Sequence, residues 1–348
     1  MELTRLIQKQ QNNKRTSNLK KTFLAFLTGL FLSSPIFSLT NGFTFEVEPL
    51  FGVRNAVLNE FVYNKNSKTG EEYYLSLLNW NLKNSFYTGL NADVSYKAFH
   101  INAGFKAFIP NNFGSMDDSD WQQDSVYHTG NSSLKTNYSE HDLNFSQGFN
   151  IDISARFNFS PCTGLTLAPL AGFSFETYSM VGKNGYGYYG YALSGYKSSY
   201  YGYDDIPNRY IHDFSGQEVI KLEREDYYTW IGISIGYITP NHKLQFALDL
   251  NVSPWVYIIS RDTHLQRNVY FIDLGGQAFS AFKANLFVQY NFNSIYAIKF
   301  TANGLFTTDI KGIEYISDSV NGPYKRSGTV IGSASRYLDF QISAILKF

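Results

Sequence analysis

The chain of 348 residues has a single cysteine, Cys162, so no internal disulfide can hold its fold. The surrounding SPCTG reads as a tight turn with no histidine near it in sequence, which makes Cys162 structural rather than a nucleophile. The chain also lacks an excess of either charge. Its 29 basic and 29 acidic side chains sum to zero, which argues against an electrostatic nucleic-acid binder. A third absence is a long apolar run, since a membrane-spanning helix needs about 18 or more such residues. The candidate TFLAFLTGLFL, Thr22 to Leu32, is too short. It follows a basic block (Arg5, Lys9, Lys14, Arg15, Lys20, Lys21) and precedes the small residues of SSPIFSLTN. Residues 1–40 therefore read as a secretory signal, cut between Ser34 and Asn41, ahead of a mature domain at 41–348. An exported chain with a mean hydropathy of −0.24 is either soluble outside the cytoplasm or embedded as a barrel.

What is abundant decides between these. Aromatic residues make up 18% of the chain, with 30 Phe and 27 Tyr, which suits a β-rich domain and the aromatic girdles of a membrane barrel. Apolar and polar residues alternate over long stretches. From Trp80 to Ser95 the even positions carry Trp80, Leu82, Phe86, Leu90, Ala92 and Val94. From Asp142 to Phe159 the apolar face holds Leu143, Phe145, Phe149, Ile151, Ile153 and Phe157. The pattern recurs from Phe282 to Phe292 and from Leu338 to the terminal Phe348. A period of two marks strands, and these runs exceed the five or six residues usual in soluble proteins. Lys83, Asp93, Asp152, Arg156 and Lys283 are assigned to an aqueous interior and the apolar faces to lipid. Lipid leaves no open sheet edge, so the strands must close. Short connections are expected near Lys97, at Ser160–Thr163, Pro240–His242 and Asn293–Ser294. Long ones are expected at Asn64–Glu72, Asn111–Leu134, Lys183–Gly216, Leu265–Asp273 and Gly312–Gly328. The expectation is all-β, a ten-stranded antiparallel transmembrane β-barrel with long extracellular loops.

Two i, i+2 pairs stand at strand ends. SPWVYIISRDTH delivers Asp262 and His264, and the expected loop SMDDSDWQQDS contains Asp118 and Asp120, followed by Trp121. On extended backbone each pair points one way. An imidazole oriented by a carboxylate can take a proton from water. Two close carboxylates raise each other's pKa and can share a proton. Each pair alone is more often a solvated surface feature than a catalytic one.

Together these segments resemble the two catalytic segments of the omptins, outer-membrane endopeptidases of Gram-negative bacteria. The resemblance runs in order along nearly the whole mature chain, through LNEFVY, AGFSFETYS, WIGISIGY and the C-terminal strand. It implies a ten-stranded barrel with a groove at its outer end. Asp118 and Asp120 match the family's carboxylate couple, and Asp262 and His264 its Asp–His dyad. It further implies an aspartic-type endopeptidase, in which an activated water hydrolyses the peptide bond without an acyl-enzyme or a metal. Peptide or protein substrates, a monomeric state, and lipopolysaccharide as lipid partner and activator follow on the same ground. Glu60, in LNEFVY, matches an acid that helps receive a basic side chain before the scissile bond. It also shares parity with Thr44, Glu46 and Glu48.

The chain departs from the family at two places, and its own alternation leaves a problem of register. Ser260 stands where a second pocket acid is expected, which weakens the expected preference for basic residues. Phe175 and Thr177 stand at acidic and basic positions of the lipopolysaccharide-binding pattern. By parity Asp262 and His264 share the lipid-facing side of Leu244, Phe246, Leu248, Leu250 and Val252. They reach an interior only if a bulge intervenes between Pro254 and Ile259. The competing reading is a catalytically idle barrel that binds surfaces through its loops. A passive pore is disfavoured, because about ten strands enclose little free lumen.

Overall fold

The computed structural model describes residues 42–65, 70–121, 134–190 and 201–348. The signal assigned to residues 1–40, with its cut site, lies outside them. The chain divides into Phe45–Lys347, which holds the sheet, and a smaller unit of Met1–Thr44 with Phe348.

The strands are β1 (Phe43–Lys65), β2 (Glu72–Tyr96), β3 (Phe99–Phe108), β4 (Asn111–Asp120), β5 (Asn137–Phe157), β6 (Phe159–Cys162), β7 (Leu165–Tyr189) and β8 (Tyr210–Asp213). They continue as β9 (Glu218–Ile238), β10 (Leu244–Val252), β11 (Val256–His264), β12 (Val269–Gln277), β13 (Ala281–Asn291), β14 (Tyr296–Thr307), β15 (Ile310–Ser317) and β16 (Lys325–Lys347). Pairing is antiparallel, and the circuit closes on itself through β7–β9 and β14–β16.

Among the described residues the strand count is sixteen rather than ten. Four expected strands are each broken in two. β3 and β4 both pair with β2 and β5, and β10 and β11 both pair with β9. β12 and β13 likewise continue one another, as do β14 and β15 against β16. The short β6 and β8 add two more, both paired with β7.

The unbroken strands are long. β1, β2, β5, β7, β9 and β16 run for 21 to 25 residues. A tilted strand crosses the hydrocarbon core in about 9–11 residues, so about half of each extends beyond it. This corrects the expected loops. Asn111–Asp120 is strand β4, so Asp118 and Asp120 lie on a strand and not in a loop. The connection expected at Leu265–Asp273 shrinks to the turn at 265–268, and that at Gly312–Gly328 to 318–324. Past the apolar belt the sheet continues, and a segment such as Asn111–Asp120, which lacks apolar alternation, reads as loop.

One half of the barrel wall carries the apolar belt. Phe51, Phe86, Ile153, Ile233, Phe246, Leu286, Phe300 and Phe340 are exposed on it. The interior behind them is a paired polar plug. Arg54 binds Asp339 at 2.6 Å and Glu176 at 3.2 Å and lies 3.6 Å from the Tyr337 ring centroid, while Lys106 reaches Asp339 at 3.3 Å.

In the other half several strands exchange their faces. Ser85 and Tyr87 on β2 are buried beside exposed Phe86, yet Leu78, Trp80 and Leu82 are buried too. The parity changes at Lys83 and Asn84, where Asn84 has φ of 48° and its amide donates to Asn55 Oδ1. Asparagine tolerates this left-handed conformation better than most residues. Trp80 and Leu82 therefore face inward rather than to lipid, and Lys83 is exposed. β5 behaves alike. A bulge between Phe145 and Gln147 turns Leu143 and Phe145 inward, each 1% exposed, against the expectation that they meet lipid.

The break between β10 and β11 is the bulge that Asp262 and His264 required. Val252 pairs with Ile231, and Val256 with Tyr228, so one extra residue enters this wall against β9. Phe246, Leu248 and Leu250 face outward, whereas Val256, Ile258, Ser260 and Asp262 are buried. Proline at 254, without an N–H to pair, fits such a gap.

Candidate active site

Glu60 is on β1, where Glu48, Leu50, Arg54, Ala56, Leu58 and Glu60 are all buried, so the inward parity holds without a break. Glu60 is 5% exposed and pairs across to Ser333 on β16, beyond the belt residue Leu338. Its Oε2 accepts the indole N–H of Trp80 at 2.8 Å. That contact exists because the change of face at Asn84 turns Trp80 inward. Burial, with Asp262 repelling it, raises the Glu60 carboxyl to about 7, although Arg224, the Trp80 hydrogen bond and the nearby Ser260 hydroxyl oppose the shift.

On β11 the dyad is formed directly. His264 Nε2 lies 3.0 Å from Asp262 Oδ2, and Phe271 packs edge-on against the imidazole with ring centroids 5.2 Å apart. The Arg267 guanidinium, from the following turn, approaches His264 Nδ1. A guanidinium can only donate, so a neutral imidazole accepting there would donate from Nε2 to Asp262.

The carboxylate couple stands on β4. Asp118 pairs with Leu78 and Ser139, and Asp120 with Ser76 and Asn137. The Ser76 hydroxyl donates to Asp118 Oδ1 at 3.3 Å. Burial pushes the Asp118 carboxyl well up, and the nearby Asp120 and Asp262 push it further, against Arg267 and Ser76. Burial also raises Asp120, while Ser76, Asn137, Arg267 and His264 lower it. The couple and the dyad thus lie within electrostatic reach of each other, with Arg267 acting on both carboxyls. The neighbouring Asp117 is separate, taking hydrogen bonds from Asn79 and Asn81 at 2.7 and 3.4 Å.

All five residues singled out in the sequence come to one end of the interior. Trp121 does not join them. It lies 6.3 Å from the Tyr74 ring and takes Lys135 at 5.4 Å, in an aromatic strip with Phe61 and Tyr63. Sequence reasoning missed Trp80, Arg267 and Tyr189. Burial beside Asp118 and Asp120 raises the Tyr189 phenol to about 12. Only Arg267 left a trace in sequence, three residues past His264 in the turn. Among the described residues no group of three or more His, Cys, Asp or Glu is arranged to hold a metal ion.

A closed antiparallel circuit with an apolar belt and a polar, plugged interior defines an outer-membrane β-barrel. The Omptin family model matches residues 43–312, and the chain belongs to the omptin family, a family of outer-membrane proteases. Among solved structures, the outer membrane protease OmpT from Escherichia coli has the same fold, with a TM-score of 0.72 at 18% identity over 89% of this chain and 99% of that one. The outer membrane protein OprG from Pseudomonas aeruginosa aligns with 88% of this chain and 97% of its own, at 9% identity and a TM-score of only 0.37. No curated protein matches the sequence.

Proposed function

We propose that the chain is an outer-membrane endopeptidase that cleaves peptide bonds with a water activated between Asp118, Asp120, Asp262 and His264, at the end of the barrel facing outward from the cell. The observation that carries this reading is the approach of two separate i, i+2 pairs, on β4 and β11, within the interior beyond the apolar belt. A structural role would not gather three acids and an imidazole into one partly buried space, where like charges repel.

The roles follow from the contacts. Asp262 holds the imidazole through Nε2, which leaves the Nδ1 lone pair to take a proton from water once Arg267 swings aside. Arg267, released, is a cation beside the oxygen that becomes negative as the carbonyl is attacked. Asp118 and Asp120, raised by burial, retain a proton between them and can both accept from and donate to the water. The proton taken by His264 is then available to the leaving amine. Catalysis of this kind uses no covalent enzyme intermediate and no metal. Peptides with a basic residue before the scissile bond are the proposed substrates, received at Glu60. Lipopolysaccharide is the proposed activator, acting on a monomer.

The test is cleavage of a quenched Arg-Arg peptide by the refolded protein with and without lipopolysaccharide, beside His264→Ala and Asp118→Asn. Loss of a general base typically costs about 10²–10⁴ in rate, and both variants are expected to lose that much while remaining folded. Wild-type rates in either variant, or a folded wild type that cleaves no peptide of a broad library in any condition, would overturn the endopeptidase reading.

A further inference from the structure

The family resemblance expects an acid at position 260, and serine stands there. Directly across the β11–β12 pair, the Cα partner of Ser260 is Asp273. Asp273 in turn pairs with Glu314 on β15. Asp273 is 8% exposed and Glu314 6%. Burial raises the Asp273 carboxyl well above its ordinary range, and the charges of Glu60, Glu314 and Asp262 raise it further.

The donors at these acids serve one oxygen each, the Trp80 indole at Glu60 Oε2 and the His264 ring at Asp262 Oδ2. Glu60 Oε1, Asp262 Oδ1, Asp273 Oδ1 and Ser260 Oγ are buried with no hydrogen-bond partner among the described residues. The Ser260 hydroxyl lies beside Glu60 without closing a bond. The nearest cation is committed elsewhere. Arg224 donates to Asp226 at 2.8 Å, to the Asn59 carbonyl at 3.2 Å and to Ser335 at 2.7 Å. Native interiors pair their polar atoms, and exceptions mark a missing partner. Unpartnered oxygens of three acids call for a cation with several N–H groups. An arginine side chain fits, since its planar guanidinium carries five donors.

We propose that Asp273, together with Glu60, forms the pocket that receives an arginine side chain of the substrate, so that β12 supplies the acid that Ser260 does not. This rests on the endopeptidase reading for its link to cleavage, but the pocket itself is a binding site that can be measured without turnover. The pocket lies next to the dyad, because Ser260 and Asp262 are neighbours on the inward face of β11. A substrate anchored there presents the bond beside its arginine to His264. Asp273 is a specificity residue in this scheme and touches no reacting atom.

Two measurements test it. The first is the cleavage of paired peptides that differ only in arginine or its neutral isostere citrulline, by wild type, by Asp273→Asn and by Asp273→Asn/Ser260→Asp. Wild type is expected to favour arginine strongly. Asp273→Asn is expected to raise KM for the arginine peptide about tenfold or more with a smaller change in kcat, since loss of a charged partner acts on binding. The double variant, which returns an acid to the facing strand, is expected to recover most of the preference. The second is calorimetric titration of the folded His264→Ala barrel with arginine amide, with and without Asp273→Asn. Binding that weakens with Asp273→Asn supports the pocket even if no peptide is cleaved, and only the endopeptidase reading would then fall. An arginine-to-citrulline ratio unchanged by Asp273→Asn, or equal arginine amide binding by both barrels, would overturn the pocket.

Discussion

The two halves of the barrel interior hold similar residues in opposite electrical states. Behind the apolar belt the charges of the plug are matched. Arg54 meets Asp339 and Glu176, Lys283 meets Asp152 at 2.9 Å, and Lys299 meets Glu48. Beyond the belt, Glu60, Asp118, Asp120, Asp262, Asp273 and Glu314 act on one another, and among the described residues Arg224 and Arg267 are the arginines that oppose them. Arg224 is saturated by its own partners, and Arg267 rests on His264. The lesson is that a polar interior stabilises where its charges are closed in pairs. Where they are left open it is held at a cost, ready for a ligand or a proton.

The comparison breaks first if the paired half can lose a charge without penalty. Arg54→Met would strand Glu176 in the interior and leave Asp339 with Lys106 alone, and removing one partner of a buried ion pair costs about 3–5 kcal/mol. The variant is expected to unfold in detergent at a markedly lower denaturant concentration. A midpoint equal to wild type would mean that the plug contributes little.

The open half predicts the reverse sign. The Glu60 carboxyl rises from an ordinary 4.5 to about 7, so the folded state binds its proton more tightly than the unfolded chain does. The stabilising proton is fully present below pH 4.5 and is lost as the pH rises through about 7. Wild type should therefore lose up to about 3 kcal/mol across that window. Glu60→Gln, whose amide oxygen still accepts from Trp80, should flatten the loss and exceed wild-type stability above pH 7. Thermal unfolding at several pH values decides it, and parallel wild-type and variant curves would sink the idea.

The smallest effect concerns the join between the halves. Asn84 is left-handed, and a β-branched side chain there costs about 1–2 kcal/mol. Asn84→Val should lower stability by that amount and Asn84→Gly by less, as read from their unfolding midpoints. Equal midpoints would show that the change of face at Asn84 is not strained.

These joins also explain what was readable in the sequence. Alternation along β13 and β16 places Phe282, Leu286, Leu338 and Phe340 on the belt, where they are exposed. The i, i+2 spacing identifies the residues that meet, because spacing along one strand survives any rotation of that strand. Alternation carried straight across Asn84 and across the bulge after Phe145 sends Trp80, Leu82, Leu143 and Phe145 to lipid, whereas all four are buried. One inserted residue reverses every later side chain, and it leaves no mark in apolar content. The bulge before Asp262 was legible only because the chemistry required those side chains inside. Asp273 was invisible for a different reason. Its meaning lies in the residue opposite, and the pairing of strands is not written along either of them.

That facing relation has a consequence for how such a protein diversifies. Ser260 and Asp273 occupy neighbouring lattice points of one sheet, supplied by different strands. An acid can be exchanged between them by two point substitutions while the field inside the space stays nearly constant. What selection would hold fixed is a charge at a location, with either strand free to carry it. Lineages could then share a specificity while differing at the residues that confer it.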